Sequence, residues 1–157
     1  MSTSIKNKIK STPFLNAILD KSTLIFEKLE TIESVLNELE EGTIHTGHVT
    51  NTLFELGVPK EEKNTSFQIR VGYSVELLLN KNKIKFCSYE SKIYLTFELQ
   101  DHDGFDWKDV PPKVLSPYFS FAHSIARRRA EEHLLAAGYP GIVLPLPGNL
   151  KIDSKLD

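Results

Sequence analysis

Arg129 and His133 stand four residues apart in a segment that also carries Ala122, Ala126 and Ala130. On a helix that spacing sets a guanidinium and an imidazole side by side, here on a face made mostly of alanine. Neither group enters an apolar environment without a partner. An ion pair meets the need if a carboxylate approaches, and Asp106 and Asp109, just upstream, are the nearest candidates in sequence. Alternatively the two cations line an anion or carboxylate pocket between the helix and the surface it covers. Arg129, His133, Asp106 and Asp109 are therefore the first polar set to locate in the fold.

Other chemical signals are weaker. Asp101-His102-Asp103-Gly104-Phe105-Asp106 concentrates oxygen and nitrogen ligands, but Asp106 stands where an EF-hand needs its glycine and Pro112 where it needs a bidentate glutamate. A turn whose acids bond local backbone amides explains the same letters. His123 and His133 are ten residues apart, with no H-E-x-x-H pair. His48 and Thr50 form one H-x-T fragment where phosphodiesterase chemistry needs two, and Glu90-Ser91-Lys92 lacks the preceding aspartate of a nuclease core. There is no P-loop, nucleophile elbow or G-x-G-x-x-G. No cofactor, metal ligand set or catalytic residue is assigned.

Charge is the remaining signal. Lys81, Lys83 and Lys85 cluster near one predicted turn and Arg127, Arg128 and Arg129 on the last helix, without the interleaved aromatics that stack bases. Leu24–Glu62 carries nine glutamates against Lys28 and Lys60. Glu27, Glu30, Glu33, Glu38, Glu40 and Glu41 together form an acidic surface able to steer a basic partner.

These residues need elements to hold them. Ile18, Ile25, Leu29, Ile32, Leu36 and Leu39 recur at intervals of seven, four, three, four and three. This predicts a helix from Ser11-Thr12-Pro13 to Gly42, packed on the core or, alternatively, paired in a two-stranded coiled coil. Val49, Leu53 and Leu56 predict a second, shorter helix folded back on the first. Phe67, Ile69, Val71, Tyr73, Val75, Leu77 and Leu79 occupy every second position, which is a strand pattern, with Gly72 placed for a bend. Asn80–Lys83 reads as a hairpin turn, Ile84–Tyr89 and Ile93–Leu99 as two further strands, and Phe105 and Trp107 as part of a short fourth. Ser116 and Pro117 open a long helix that Gly138 closes, and Ile142-Val143-Leu144, among prolines and glycines, suits an extended segment laid along a surface. The expected fold is α+β: an amino-terminal helical pair, a three- or four-stranded antiparallel meander, and a long C-terminal helix on the sheet. Residues 1–150 form one domain and 151–157 a flexible tail.

The chain has 157 residues, 40% hydrophobic, with a net charge of −2. That suits one soluble domain and gives no global attraction to nucleic acid or anionic membrane. One cysteine, no apolar run of about 18 residues and a polar start point to the cytoplasm, with no membrane partner. The leading expectation is a non-enzymatic binding or regulatory protein acting on another macromolecule, in the manner of a small inhibitor, antitoxin or immunity-type protein, as monomer or homodimer. A nucleic-acid-binding regulator is second: with Pro59–Leu79 helical and Lys83–Leu99 a wing, the middle of the chain mimics a winged helix, Lys81, Lys83, Lys85, Arg127 and Arg128 supplying phosphate contacts. A small metal-dependent hydrolase is third.

Overall fold

The computed structural model describes residues 16–32, 46–58, 65–79, 84–100, 112–139 and 142–146. In chain order these form β1 (Ala17–Thr31), β2 (Thr46–Gly57), β3 (Ser66–Leu79), β4 (Ile84–Leu99) and α1 (Pro112–Ala136). The four strands make one antiparallel sheet in the order β1-β4-β3-β2. β2, β3 and β4 follow one another as a meander, and β1 pairs beside β4, so the first two strands sit at opposite edges.

The alternation in β3 builds the sheet's centre. Phe67, Ile69, Val71, Tyr73, Val75 and Leu77 are all buried, and in β4 so are Cys87, Tyr89, Ile93, Leu95, Phe97 and Leu99. These side chains share the face on which α1 lies. Leu115, Phe119, Ala122, Ala126, Ala130 and Leu134 form the buried stripe of α1, and its alanines let the helix axis approach the sheet closely. Tyr118 meets Phe67 and Phe97 edge-on, and Phe119 meets Phe54 of β2 the same way. At the helix end, Tyr139 N–H donates to the Leu134 carbonyl and Gly138 N–H to that of Leu135, with Gly138 at φ +96°. That is a Schellman cap, for which a glycine in the left-handed region is the usual residue.

The expected amino-terminal helical pair is not present: β1 and β2 stand where its described parts were placed. In β1 the register shifts between Leu19 and Lys21 and again between Leu24 and Phe26. Each extra residue exchanges the parity that faces the core, so Ala17 and Leu19, then Ser22 and Leu24, then Glu27, Leu29 and Thr31 lie on the helix side. The intervals between Ile18, Ile25, Leu29 and Ile32 mimic a heptad because the strand is bulged; Leu36 and Leu39 lie outside the described residues. In β2, Val49 and Leu53 point to one face and Leu56 to the other, which separates the three residues of the supposed helix stripe. Thr46, Val49, Thr50 and Thr52 are β-branched and suit the extended backbone.

Three smaller expectations change as well. Ile84–Leu99 is one continuous strand, with its irregularity opposite Leu77 and Leu78, where Phe86 and Cys87 are both buried. Gly72 keeps regular pairing instead of bending β3. The helix begins at Pro112, so Pro117 lies inside it, within the second turn, and forgoes one backbone hydrogen bond. Since β3 is a strand, no recognition helix exists where the winged-helix alternative required one. The segments at 80–83 and 101–111 lie outside the described residues.

Candidate functional site

Two features of the sheet carry unusual chemistry, one on each face. On the helix side, Glu27 stands on β1 opposite Ser91 of β4, beneath the carboxy-terminal half of α1. Its Oε1 accepts from Arg129 Nη2 at 3.0 Å and lies 2.7 Å from His133 Nε2; its Oε2 accepts from Tyr89 Oη at 2.7 Å and from Arg129 Nε. The His133 ring stacks on Tyr89 with centroids 5.7 Å apart. Burial pushes the Glu27 carboxyl up, but the hydrogen bonds from Arg129 and Tyr89 and the charges of Arg129 and His133 outweigh it, so the group titrates below the ordinary glutamate range. Arg129 and His133 thus flank the alanine stripe instead of occupying its centre, and the carboxylate they meet is Glu27. Asp106 and Asp109 lie outside the described residues. With every Glu27 oxygen engaged by this chain, the cluster is a latch between β1 and α1.

The opposite face of the sheet is different. Among the described residues, no element covers it. Phe26, Lys92, Gly72 and Leu53 stand in one row across β1, β4, β3 and β2. Because Gly72 has no side chain, the row sinks between Leu53 and Lys92 into a groove of about 310 Å³, at the small end of the range for ligand pockets. Its apolar walls are Phe26 and Leu53, the latter 67% exposed. Its rim is polar: Arg70 pairs with Glu55 at 3.7 Å and lies over the Tyr94 ring at 4.9 Å, and Glu90, Asn51 and Ser74 complete it. Val49 and Ile18 extend the exposed apolar surface along the same face. Apolar walls with a mixed-charge rim suit a chain segment that is itself partly apolar.

The other predicted site residues are scattered. Glu30 pairs with Lys28 at 2.7 Å on β1, while Glu33, Glu38, Glu40 and Glu41 lie outside the described residues. Lys85 pairs with Glu76 at 3.7 Å, Arg127 with Glu131 at 3.6 Å and Arg128 with Glu132 at 3.2 Å; Lys81 and Lys83 lie outside the described residues. The structure therefore joins one expected acid, Glu27, to the expected pair Arg129 and His133, and among the described basic residues it keeps Lys85, on β4, apart from Arg127 and Arg128 on α1. The groove was missed because its residues lie on four strands, two of them read as helices. Gly72, the glycine within the alternating run of β3, was its sequence signal; the exposure of Leu53 appears only in the fold.

No family model matches the chain, and no curated protein matches it. Among solved structures the chain is similar to the Mycobacterium tuberculosis Rv1957 SecB-like chaperone in complex with a ChAD peptide from the Rv1956 HigA1 antitoxin, with a TM-score of 0.62, 10% identity, and coverage of 83% of this chain and 90% of that one. It also matches a protein of unknown function from Streptococcus agalactiae at a TM-score of 0.47 and 12% identity, over 83% of this chain and 98% of that one. The first likeness establishes the fold: this α+β chain has the fold of a SecB-like chaperone. Among the described residues no helix is long and apolar enough to cross a membrane.

Proposed function

We propose that this protein is a non-enzymatic binder of other polypeptides, taking an extended, partly apolar segment into the outer groove at Gly72. The observation that carries this is the uncovered face itself, where Leu53 and Phe26 stand exposed at the two ends of a row in which Gly72 leaves a gap beside Lys92. Exposed apolar surface rimmed by polar groups is a common mark of an interaction site. The fold adds support, since the SecB-like chaperone it resembles was captured with a peptide from an antitoxin. A role that holds an extended segment of a partner fits this surface better than the inhibitor, antitoxin or immunity-type role through an acidic surface expected from sequence, because Glu27 and Glu30 are already paired within the chain.

The test is a substitution that fills the groove without harming the fold. A Cβ at Gly72 meets Leu53 Cβ at 3.8 Å, an ordinary contact, and valine is a better strand residue than glycine. Gly72→Val should keep or raise the melting temperature while weakening binding of a labelled, reduced and carboxymethylated protein, measured by fluorescence anisotropy, by about tenfold or more. Unchanged binding by Gly72→Val and by Leu53→Asp would overturn the assignment.

A further inference from the structure

After the cap at Gly138, the chain returns along α1, and residues 142–146 run extended without joining any of the described strands. Leu144 is the main anchor of this strap: it is 1% exposed and belongs to the core, and Ile142 packs partly buried against that core, whereas Val143 and Leu146 are 74% and 71% exposed. Both backbone polar groups of Leu144 are gripped by side chains of α1. Its N–H donates to Glu131 Oε1 at 3.1 Å, and its carbonyl accepts from Arg127 Nη1 at 3.4 Å. Arg127 and Glu131 are one helical turn apart and 3.6 Å from each other, so their donor and acceptor are set at a fixed spacing before any backbone arrives.

A side-chain donor and acceptor that read the two polar groups of one extended residue, beside a pocket for its side chain, are the parts of a peptide-recognition site. The grip on the present occupant is incomplete. The longer of the two bonds is at 3.4 Å, and Arg127 Nε is buried with no partner among the described residues. The strap has no ladder to hold it, and only one of its five residues is fully buried.

We propose that Arg127 and Glu131 form a second peptide clamp, specific for an extended segment with a leucine preceded by β-branched apolar residues and followed by proline, and that residues 142–146 occupy it as an exchangeable intramolecular ligand. An external segment of the same chemistry binds when the strap lifts, so its apparent affinity is lowered by the fraction of molecules in which the strap is closed. This site is independent of the outer groove and does not rest on the assignment made there.

The experiment uses the full chain and a fluorescein-labelled peptide with the sequence of residues 140–148, Pro-Gly-Ile-Val-Leu-Pro-Leu-Pro-Gly. Leu144→Asp removes the resident anchor and should bind this peptide at least about tenfold more tightly than wild type. Adding Glu131→Ala to that variant should abolish the gain, and adding Gly72→Val should leave it intact. Equal affinity in wild type and Leu144→Asp, or binding that survives Glu131→Ala, overturns the proposal. If circular dichroism shows that Leu144→Asp does not fold, amide hydrogen exchange on wild type decides. The Leu144 amide should exchange faster than those of Leu95 and Ala126, and faster still with excess peptide; exchange of Leu144 only together with the core, unmoved by peptide, overturns it equally.

Discussion

Glu27 and Arg129 lie 102 residues apart in the chain and meet through two hydrogen bonds, one to each carboxylate oxygen. The paired geometry ties an edge strand to a helix that packs over the centre of the sheet. Among the described residues β1 would otherwise be held only by β4, since the strand order places no strand on its other side. The latch also explains why a glutamate is tolerated on the core-facing side of β1: three donors surround it.

Removing Glu27 should cost more than removing Arg129. Glu27→Ala leaves Arg129, His133 and Tyr89 without their acceptor, whereas Arg129→Ala leaves Glu27 still bonded to the other two. A fully desolvated pair broken on one side loses about 3–5 kcal/mol. The Arg129 side chain is 40% exposed, so solvent screening reduces this to about 2 kcal/mol for Glu27→Ala and about 1 kcal/mol for Arg129→Ala. Urea denaturation of both variants checks the order, and an equal or larger loss for Arg129→Ala would refute it.

Acid should loosen the same latch. The Glu27 carboxyl is depressed in the folded state relative to its ordinary value of 4.5, so its stabilisation is fully present above that value and is lost as pH falls through the lower, folded one. Urea midpoints measured from about pH 6 down to about pH 3 should fall less steeply in Glu27→Gln than in wild type. Parallel curves would show that other groups carry the acid sensitivity.

Cys87 should report opening of the β1 edge. The thiol is fully buried, burial pushes its pKa up, and the Thr31 hydroxyl, 4.0 Å away, only partly offsets this. An aromatic disulfide reagent should react with the native protein only as fast as β1 separates from β4. Glu27→Ala should then quicken the reaction more than Val114→Ala, which lies at the opposite, amino-terminal end of the helix, the end that packs near Ala17. Rates that simply follow global stability in both variants would count against local opening.

Gly138→Ala should destabilise the chain by about 1 kcal/mol, through backbone strain alone. At φ +96° an L residue is disfavoured, yet a Cβ there meets nothing within 4 Å, so no steric clash adds to the loss. Thermal melts compared with those of Ala137→Gly, a substitution outside the left-handed position, separate the two effects. A loss well above this figure would mean that the strap beyond Gly138 is displaced as well.

The sequence by itself determined the elements that are buried on one face and regular in period. The alternation from Phe67 to Leu77 favoured a half-buried strand over the helical alternative, the alanine-rich run from Ala122 to Ala130 favoured a closely packed helix, and Gly138 marked its end. In each case local preference and burial act in the same direction. Arg129 and His133 likewise stood out, because cations on an alanine face need a partner wherever the helix docks.

Only the tertiary structure decided the edges and the partner. β1 and β2 are half-exposed, so burial imposes a weak pattern on them, and the two register shifts in β1 turned an alternating strand into a sequence with helical intervals. The pairing of β1 with β4 placed Glu27 beneath Arg129, a meeting that no spacing along the chain encodes. The groove at Gly72 arose the same way: Phe26, Lys92, Gly72 and Leu53 become neighbours only through three strand pairings, and its shape is the absence of a side chain that the flanking strands leave unfilled.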